Sequence, residues 1–275
     1  MSQLTLPEKA SERITAPRLI DFKHEGRKIV VVTAYDYPSA RLADRAGIDV
    51  ILVGDTVAIM ALGHKTTVPV TLDEMIHHTK AVRRGVKNAL ILADLPFGTY
   101  QASPQEAFQS ASRLLKEAGA HAVKLEGGLH MAETVRLLTQ GGIPVVGHLG
   151  LTPQSVNVFG GNKIQGRTSD AADQMLTAAL ALEEAGAFAI VLEAIPANLA
   201  HRLTHALNIP TIGIGAGAGC DGQVQVWHDL FGIFPGKPLR HTKIYADIGA
   251  LLEQALRSYA DEVRSDIFPT EEHSH

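Results

Sequence analysis

One theme recurs along this chain. A short, β-rich apolar run gives way to a polar turn, and the turn to a stretch with helical periodicity. The runs are KIVVVTAYD (28–36), DVILVGD (49–55), ALILADLPF (89–97), AVKLEGG (122–128), IPVVGHLG (143–150), FAIVLEAIP (188–196) and IPTIGIGAG (209–217). A weaker eighth, QVQVWHDLFGI, spans 223–233. The stretches between them carry explicit helix signals. SPQEAFQSASRLLKEAGA (103–120) opens with Ser-Pro at N-cap and N1, has Glu106 at N3 and stops at Gly119. In 71–85, Thr71 is a cap with Glu74 three residues on and Gly85 as the stop, and 168–186 ends the same way at Gly186. Alternation of strand and helix argues for a parallel sheet. Eight units in 275 residues match an α/β fold, a single-domain (β/α)8 TIM barrel. A doubly wound open sheet is the structural rival, and the weak eighth unit decides between them. No linker rich in Pro, Gly or Ser interrupts the pattern, so 1–275 reads as one domain. A helix at about 11–25 is expected to close the barrel bottom, and a long terminal helix is expected at about 243–264.

The formal net charge is -4 with acids and bases well mixed, so nothing electrostatic favours nucleic acid. Cys220 is the only cysteine, which excludes an intramolecular disulfide and a Cys-based metal cluster and suits a reducing, cytoplasmic setting. The N-terminal stretch has no continuous apolar core of a secretory signal, and no apolar run approaches the roughly 20 residues of a membrane helix. The closing PTEEHSH reads as a solvated tail.

AVKLEGG poses the functional question. In a strand, Val123 and Leu125 face one way, Lys124 and Glu126 the other. In a barrel the inward face opens at its C-terminal end onto the active-site mouth. Acids recur at those ends: Asp55, Asp94, Glu126 and Glu193 after strands two, three, four and six. Each alone has a bland explanation as a turn residue, a bend cap or a salt-bridge partner. Together they are harder to dismiss, because converging buried carboxylates repel unless a cation sits among them. A hard divalent ion bound by oxygen donors, Mg2+ first, resolves the repulsion. Lys124 beside it suits a substrate carboxylate or oxyanion. A Schiff-base lysine is the alternative, opposed by the carboxylate one layer above, which favours the charged amine. Glu193, expected across the barrel from the other acids, suits a general base. His148, inside strand five, reads either as a substrate contact or as a hydrogen-bonded core histidine. GIGAGAG (213–219) resembles an anion loop, without a visible helix N-terminus to complete it. His64 falls in a loop over the mouth and is a lid candidate. His77 and His78 read as solvated or interface residues, and Cys220 as structural.

The motifs VGDT (53–56), GHKTTVPVT (63–71), HTKAVRRG (78–85), LADLPFGTY (92–100), VKLEGG (123–128), PVVGHLGLTPQS (144–155), VLEAIP (191–196), IGIGAG (212–217) and CDGQVQVWHDLFG (220–232) closely resemble the ketopantoate hydroxymethyltransferase family. The resemblance runs in order from about residue 12 to 245. It implies a (β/α)8 barrel that assembles as a homo-oligomer, commonly a decamer. It implies transfer of a hydroxymethyl group from 5,10-methylenetetrahydrofolate, the co-substrate, to 3-methyl-2-oxobutanoate, giving 2-dehydropantoate for pantothenate and coenzyme A biosynthesis. It implies one Mg2+ per subunit held by Asp55, Asp94 and Glu126. Substrate contacts match Asp55, Thr56, Asp94 and Lys124, with His148 added from its place in strand five, and the proton acceptor matches Glu193.

Two positions depart from the family pattern, Val-Gly-Asp-Ser followed by Leu-Gly-Met: Thr56 adds a methyl at a substrate contact, and Ala58 replaces a glycine. One added methyl in a tight pocket is worth about 1–3 kcal/mol of discrimination, so a related 2-oxo acid is the alternative substrate. A second alternative is the related phosphoenolpyruvate mutase and isocitrate lyase group, whose lyases use a Lys-Cys-Gly-His loop that this chain lacks. A barrel scaffold without activity is disfavoured because all the polar site residues are present.

Overall fold

Valine, isoleucine and leucine dominate runs too short for helices, and such runs are stable as parallel strands when both faces are covered. That is their state in a computed structural model of the chain, which describes residues 13–234 and 240–275. Strands β1 (Ile29–Thr33), β2 (Val50–Val53), β3 (Leu90–Asp94), β4 (Ala122–Glu126), β5 (Val145–Gly150), β6 (Ala189–Glu193), β7 (Thr211–Ile214) and β8 (Gly222–Gln225) neighbour one another in chain order and close into a barrel. The seven strand pairs from β1 to β8 whose register is resolved are parallel. The helices of this part are α1 (Ala16–His24), α2 (Tyr37–Arg45), α3 (Val57–Met60), α4 (Leu72–Gly85), α5 (Pro104–Ala118), α6 (Ala132–Gln140), α7 (Val156–Phe159), α8 (Ser169–Glu184) and α9 (Ala197–Ala206).

The helix starts follow their caps. Thr71 and Glu74 form a reciprocal capping box at α4. Ser103 accepts from the Glu106 amide at α5, whose far end turns at Gly119 with φ 76°. Helix α1 begins at Ala16, later than expected, because Pro17 suits only a first turn; the expected residues 11 and 12 lie outside the described residues.

The eighth unit differs from expectation. Among the described residues no helix lies between β7 and β8; residues 215–221 connect them directly. Gly215 and Gly217, at φ 64° and 80°, turn the backbone there. β8 ends at Gln225, earlier than the run 223–233 suggested, and α10 (Trp227–Leu230) takes up its second half. The seam with β1 is close: Ile29 N donates to Asp221 O at 3.0 Å, and a Cβ on Gly222 would lie 2.5 Å from Ile29 O.

The interior is built in steps of two. Leu90 and Leu92 lead to Asp94, Ala122 to Lys124 and Glu126, Val146 to His148, Ala189 and Val191 to Glu193. The lower members form one apolar cluster with Val31, Val50, Leu52, Ile212 and Val224, joined by Leu19 and Phe22 of α1. Helix α1 therefore closes the floor, and the polar members rise from it toward the other end. Lys23 fastens α1 by donating to Thr204 O, Ile209 O and the Asp221 carboxylate at 2.8, 3.1 and 3.0 Å.

By its contacts the chain divides into two compact units, Met1–Val224 and Gln225–His275. The second contains α10 and α11 (Ile248–Arg264), which starts at Ile248 because Asp247 caps it, accepting from Ala250 N. The expected tail forms a single 3-10 turn at Glu271–His273. No helix among the described residues is long and apolar enough to cross a membrane.

Candidate active site

Strand register assembles the site. Asp94 is the neighbour of Lys124 across β3 and β4, Glu126 of His148 across β4 and β5, and Gly150 of Glu193 across β5 and β6. Lys124 Nζ lies 3.1 Å from Asp94 Oδ2 and 3.3 Å from His148 Nδ1. His148 Nδ1 is 3.2 Å from Glu126 Oε1, and its Nε2 is 3.3 Å from Glu193 Oε2. Asp55 joins through its backbone, its amide donating to Asp94 Oδ2 at 3.0 Å. Asp55, Asp94, Lys124, Glu126 and His148 are all buried, and Glu193 is slightly more open. Glu193 is thus joined to the other acids through His148, closer in organisation than a position across the barrel suggested.

Two further side chains hold the acids in place. Gln154 Nε2 donates to Asp55 Oδ2 and to Leu95 O, both at 2.9 Å, while its backbone amide donates to Glu126 Oε2 at 3.0 Å. Tyr100 Oη donates to Gln154 Oε1 at 2.7 Å and accepts from Glu126 N at 3.1 Å. Both lie within motifs of the sequence, GLTPQS and LPFGTY, yet neither carries a charge, so reasoning from charged groups passes over them.

Burial drives the electrostatics. The Asp55 carboxyl is pushed up to about 8, first by desolvation, then by Asp94 and Glu126. Asp94 is also raised by burial, with Lys124 opposing. Burial acts against the charge of Glu126 too, but its bond to His148 and the charges of His148 and Lys124 hold it below its ordinary value. Burial would lower Lys124; Asp94, Glu126 and Asp55 outweigh it and favour the charged ammonium, which opposes the Schiff-base reading. For His148, burial and Lys124 oppose the charge, but Glu126 and Glu193 raise the imidazole to about 9. A charged ring donates toward both carboxylates, so Lys124 directs its own hydrogen bond to Asp94.

The donor set fits a hard divalent cation. Asp94 Oδ1 is buried and accepts no hydrogen bond, and the buried Glu126 Oε1 has only His148 Nδ1 near it, at 3.2 Å and poorly aligned, in a cluster where burial works against the charge of Asp55 and Asp94. As the side chains stand, no cage of three acidic, His or Cys groups is closed among the described residues, with Gln154 occupying Asp55 and Lys124 occupying Asp94.

Other expectations resolve as follows. Thr56 opens α3, half-buried and beside the buried Tyr35 phenol. Ala58 is fully buried within α3, a helical turn rather than a loop needing glycine's freedom. His78 bonds Tyr35 O through Nδ1 at 2.7 Å, whereas His64 and His77 are exposed. The glycine loop after β7 leads into β8, not a helix, so no helix terminus supports anion binding there. Cys220 is buried and its thiol raised by desolvation, consistent with a structural role. A cavity of about 900 Å3 adjoins the site, with Tyr100, Glu126, His148 and Gln154 in its lining.

With this geometry in view, the family model described as ketopantoate hydroxymethyltransferase matches residues 13–271. The chain belongs to this family. A relative from Chloroflexus aurantiacus named 3-methyl-2-oxobutanoate hydroxymethyltransferase is 57% identical over 262 residues, covering 95% of this chain and 92% of its own. One of the same name from Carboxydothermus hydrogenoformans is 52% identical over 263 residues, 96% of this chain and 95% of its own. Solved structures share the barrel at low identity. Phosphonopyruvate hydrolase in complex with oxalate and Mg superposes with a TM-score of 0.63 at 14% identity, covering 94% of this chain and 93% of that one. Phosphoenolpyruvate phosphomutase from Streptomyces platensis gives 0.60 at 16%, covering 95% and 92%. These two likenesses concern the fold.

Proposed function

We propose that this chain transfers a hydroxymethyl group from 5,10-methylenetetrahydrofolate to 3-methyl-2-oxobutanoate, yielding 2-dehydropantoate for pantothenate synthesis. The observation that carries the reading is the buried Asp55–Asp94–Lys124–Glu126–His148–Glu193 cluster at one end of a barrel whose sequence belongs to this family. The oxo acid's carboxylate and ketone belong at Asp55–Thr56, Asp94 and Lys124, where a charged ammonium meets negative oxygens. Asp55, Asp94 and Glu126 would hold Mg2+, which when bound supplies Lewis-acid stabilisation of negative charge on the substrate oxygens.

The chain's own residues do the rest. Glu193 accepts the C3 proton. His148 fixes the Glu193 carboxylate from one side and Glu126 from the other, so the base and the acid at the substrate's oxygens keep a constant separation. Lys124 offsets charge that develops on the ketone oxygen as the proton leaves. The donor's methylene carbon carries two carbon–nitrogen bonds: water replaces one and supplies the hydroxyl, the electron pair left at C3 replaces the other as the carbon–carbon bond forms, and the two freed nitrogens take up the proton from C3 and one from water.

The phosphomutase and hydrolase barrels are alike in fold at 16% and 14% identity, and the Lys-Cys-Gly-His loop of the lyases is absent from this sequence. We place the enzyme in the cytoplasm as a homo-oligomer, a decamer by family resemblance. The test follows the C3 proton of 3-methyl-2-oxobutanoate by NMR in D2O. Exchange that depends on Mg2+, followed by 2-dehydropantoate once the donor is added, is the expected result. Glu193→Gln keeps metal and oxo-acid binding and slows exchange by about 10²–10⁴-fold. If the wild type neither exchanges the proton nor forms product, the reading fails; if it acts instead on another 2-oxo acid, Thr56 is the residue to revert to Ser.

A further inference from the structure

The oxo acid accounts for only one end of the space at this site. The adjoining cavity, about 900 Å3, is much larger than a five-carbon acid requires and lies in the range of cofactor-sized ligands, roughly 300–1,000 Å3. Its lining is selective. Of the six charged site residues only Glu126 and His148 contribute to it; Asp55, Asp94 and Lys124, which anchor the oxo acid in the reading above, do not. The cavity therefore begins where the acid's anchored end leaves off. At that junction Glu126 Oε1 and His148 Nε2 are buried without an aligned hydrogen bond.

Away from the junction the lining changes character. Phe97, Leu129, Phe159 and Met175 give it apolar and aromatic surface, and Phe97 is 48% exposed. Helix α8 contributes Asp170, Asp173 and Gln174. Asp173 is committed to Arg202 and forms an ion pair with it. The side chains of Asp170 and Gln174 make no hydrogen bond or ion pair among the described residues. Aromatic side chains and an uncommitted carboxylate lining one cavity suit a flat ring with adjacent N–H donors. The 2-amino-4-oxo edge of a pterin is such a group: its exocyclic amine and ring N–H point the same way, and a carboxylate accepts both.

We propose that this cavity, between residues 127–130 after β4 and helices α7 and α8, receives the pterin of the one-carbon donor, with Asp170 accepting from its 2-amino and ring N–H groups. Phe97 and Phe159 cover the ring faces, where aromatic contact adds about 0.5–1.5 kcal/mol beyond area burial. The donor's methylene then reaches the oxo acid from the Glu126–His148 side. This inference rests on the activity proposed above, and names the part of the site that takes the second substrate.

A bland role for Asp170 exists, since an acid in the first turn of α8 favours the helix. The experiment separates the two. Tetrahydrofolate is titrated anaerobically into the full chain by calorimetry, for wild type, Asp170→Asn and Gln174→Trp. Mg2+-dependent C3 exchange, without donor, is measured alongside. Both positions are exposed, so the fold tolerates the changes. The expected result is at least a tenfold rise in tetrahydrofolate Kd for each variant, with exchange within twofold of wild type. Unchanged Kd in both variants, with Asp170→Asn lowering only the melting temperature, overturns the pocket and leaves the activity standing. Loss of exchange together with binding also counts against it, because the two ends would not be separable. If the wild type binds tetrahydrofolate through these residues yet never exchanges the C3 proton, the pocket stands and the oxo-acid reading fails.

Discussion

Gln154 is the least conspicuous member of the site and the one with most to hold. One side-chain amide contacts an acid on the β2 side and a carbonyl after β3, its backbone amide contacts the acid of β4, and Tyr100 fixes its orientation. The amide cannot titrate, so it presents the same donors whatever the charge state of the cluster. Tyr100→Phe tests this arrangement gently. It removes the hydroxyl that accepts from Glu126 N and donates to Gln154, leaving shape nearly unchanged. A cost of about 1–3 kcal/mol in stability follows from stranding buried partners. Loosening of Gln154 is expected to lower kcat/KM about tenfold, more through kcat than through KM, in steady-state assays. Wild-type kinetics in Tyr100→Phe would show that Gln154 needs no such support. Neither residue was legible from the sequence as functional. Their importance comes from where strand register and loop closure put carboxylates, and a neutral hydrogen-bonding residue has no pattern of its own.

At the scale of elements, legibility followed the strength of local signals. Alternating strand and helix, the Thr71–Glu74 box and the Ser103 cap are local, and each stands where the pattern places it. Strand-end acids were legible because steps of two along an inward face are fixed by the pleat. Which charges would meet was not, because neighbours across strands depend on register between segments far apart in sequence: Lys124 with Asp94, His148 with Glu126 and Glu193. The direct passage from β7 to β8 rests on Gly215 and Gly217, whose φ values of 64° and 80° turn the backbone there. The same register places His121 at the entrance to β4, where its Nδ1 accepts from Ile91 N at 2.9 Å. Burial first, then Arg13 and Arg83, lowers its pKa from 6.5 to about 4. Above pH 6.5 both states carry the neutral ring. Below it the unfolded chain binds a proton that the folded ring refuses until about pH 4, so stability declines across that interval and levels off beneath it. Asparagine retains an acceptor near Nδ1 and does not titrate. Urea midpoints should therefore fall more steeply for wild type than for His121→Asn between pH 7 and 4.5; parallel curves would exclude His121 as a source of acid sensitivity.

At the scale of the molecule, the second unit raises a question that the barrel does not. Helix α11 has no buried residue, and Leu252, Leu256, Tyr259 and Val263 are 50%, 66%, 55% and 43% exposed. Their spacing repeats every three or four residues, so they form one stripe along the helix. A stripe of this kind left to water invites association, and a helix whose apolar stripe stays uncovered is only marginally stable. Family resemblance implies a homo-oligomer, and a second copy of the chain is the occupant we assign to the stripe. The prediction is specific to assembly. Leu256→Asp, and Leu256→Asp with Val263→Asp, place charge in the stripe while leaving Asp55, Asp94, Lys124, Glu126, His148 and Glu193 untouched. Burying an unpaired carboxylate in an apolar contact costs several kcal/mol, enough to shift a micromolar assembly toward smaller species. Light scattering coupled to size exclusion should show the wild type as a multiple of 29.4 kDa and the variants at a lower mass. If the stripe serves only assembly, Mg2+-dependent C3 exchange persists in the smaller species, since the acids we assign to it lie on or just after β2, β3, β4 and β6, within the first unit. An unchanged mass in the double variant would remove α11 from the interface, and a lower mass with exchange abolished would mean that the site depends on the neighbouring copy.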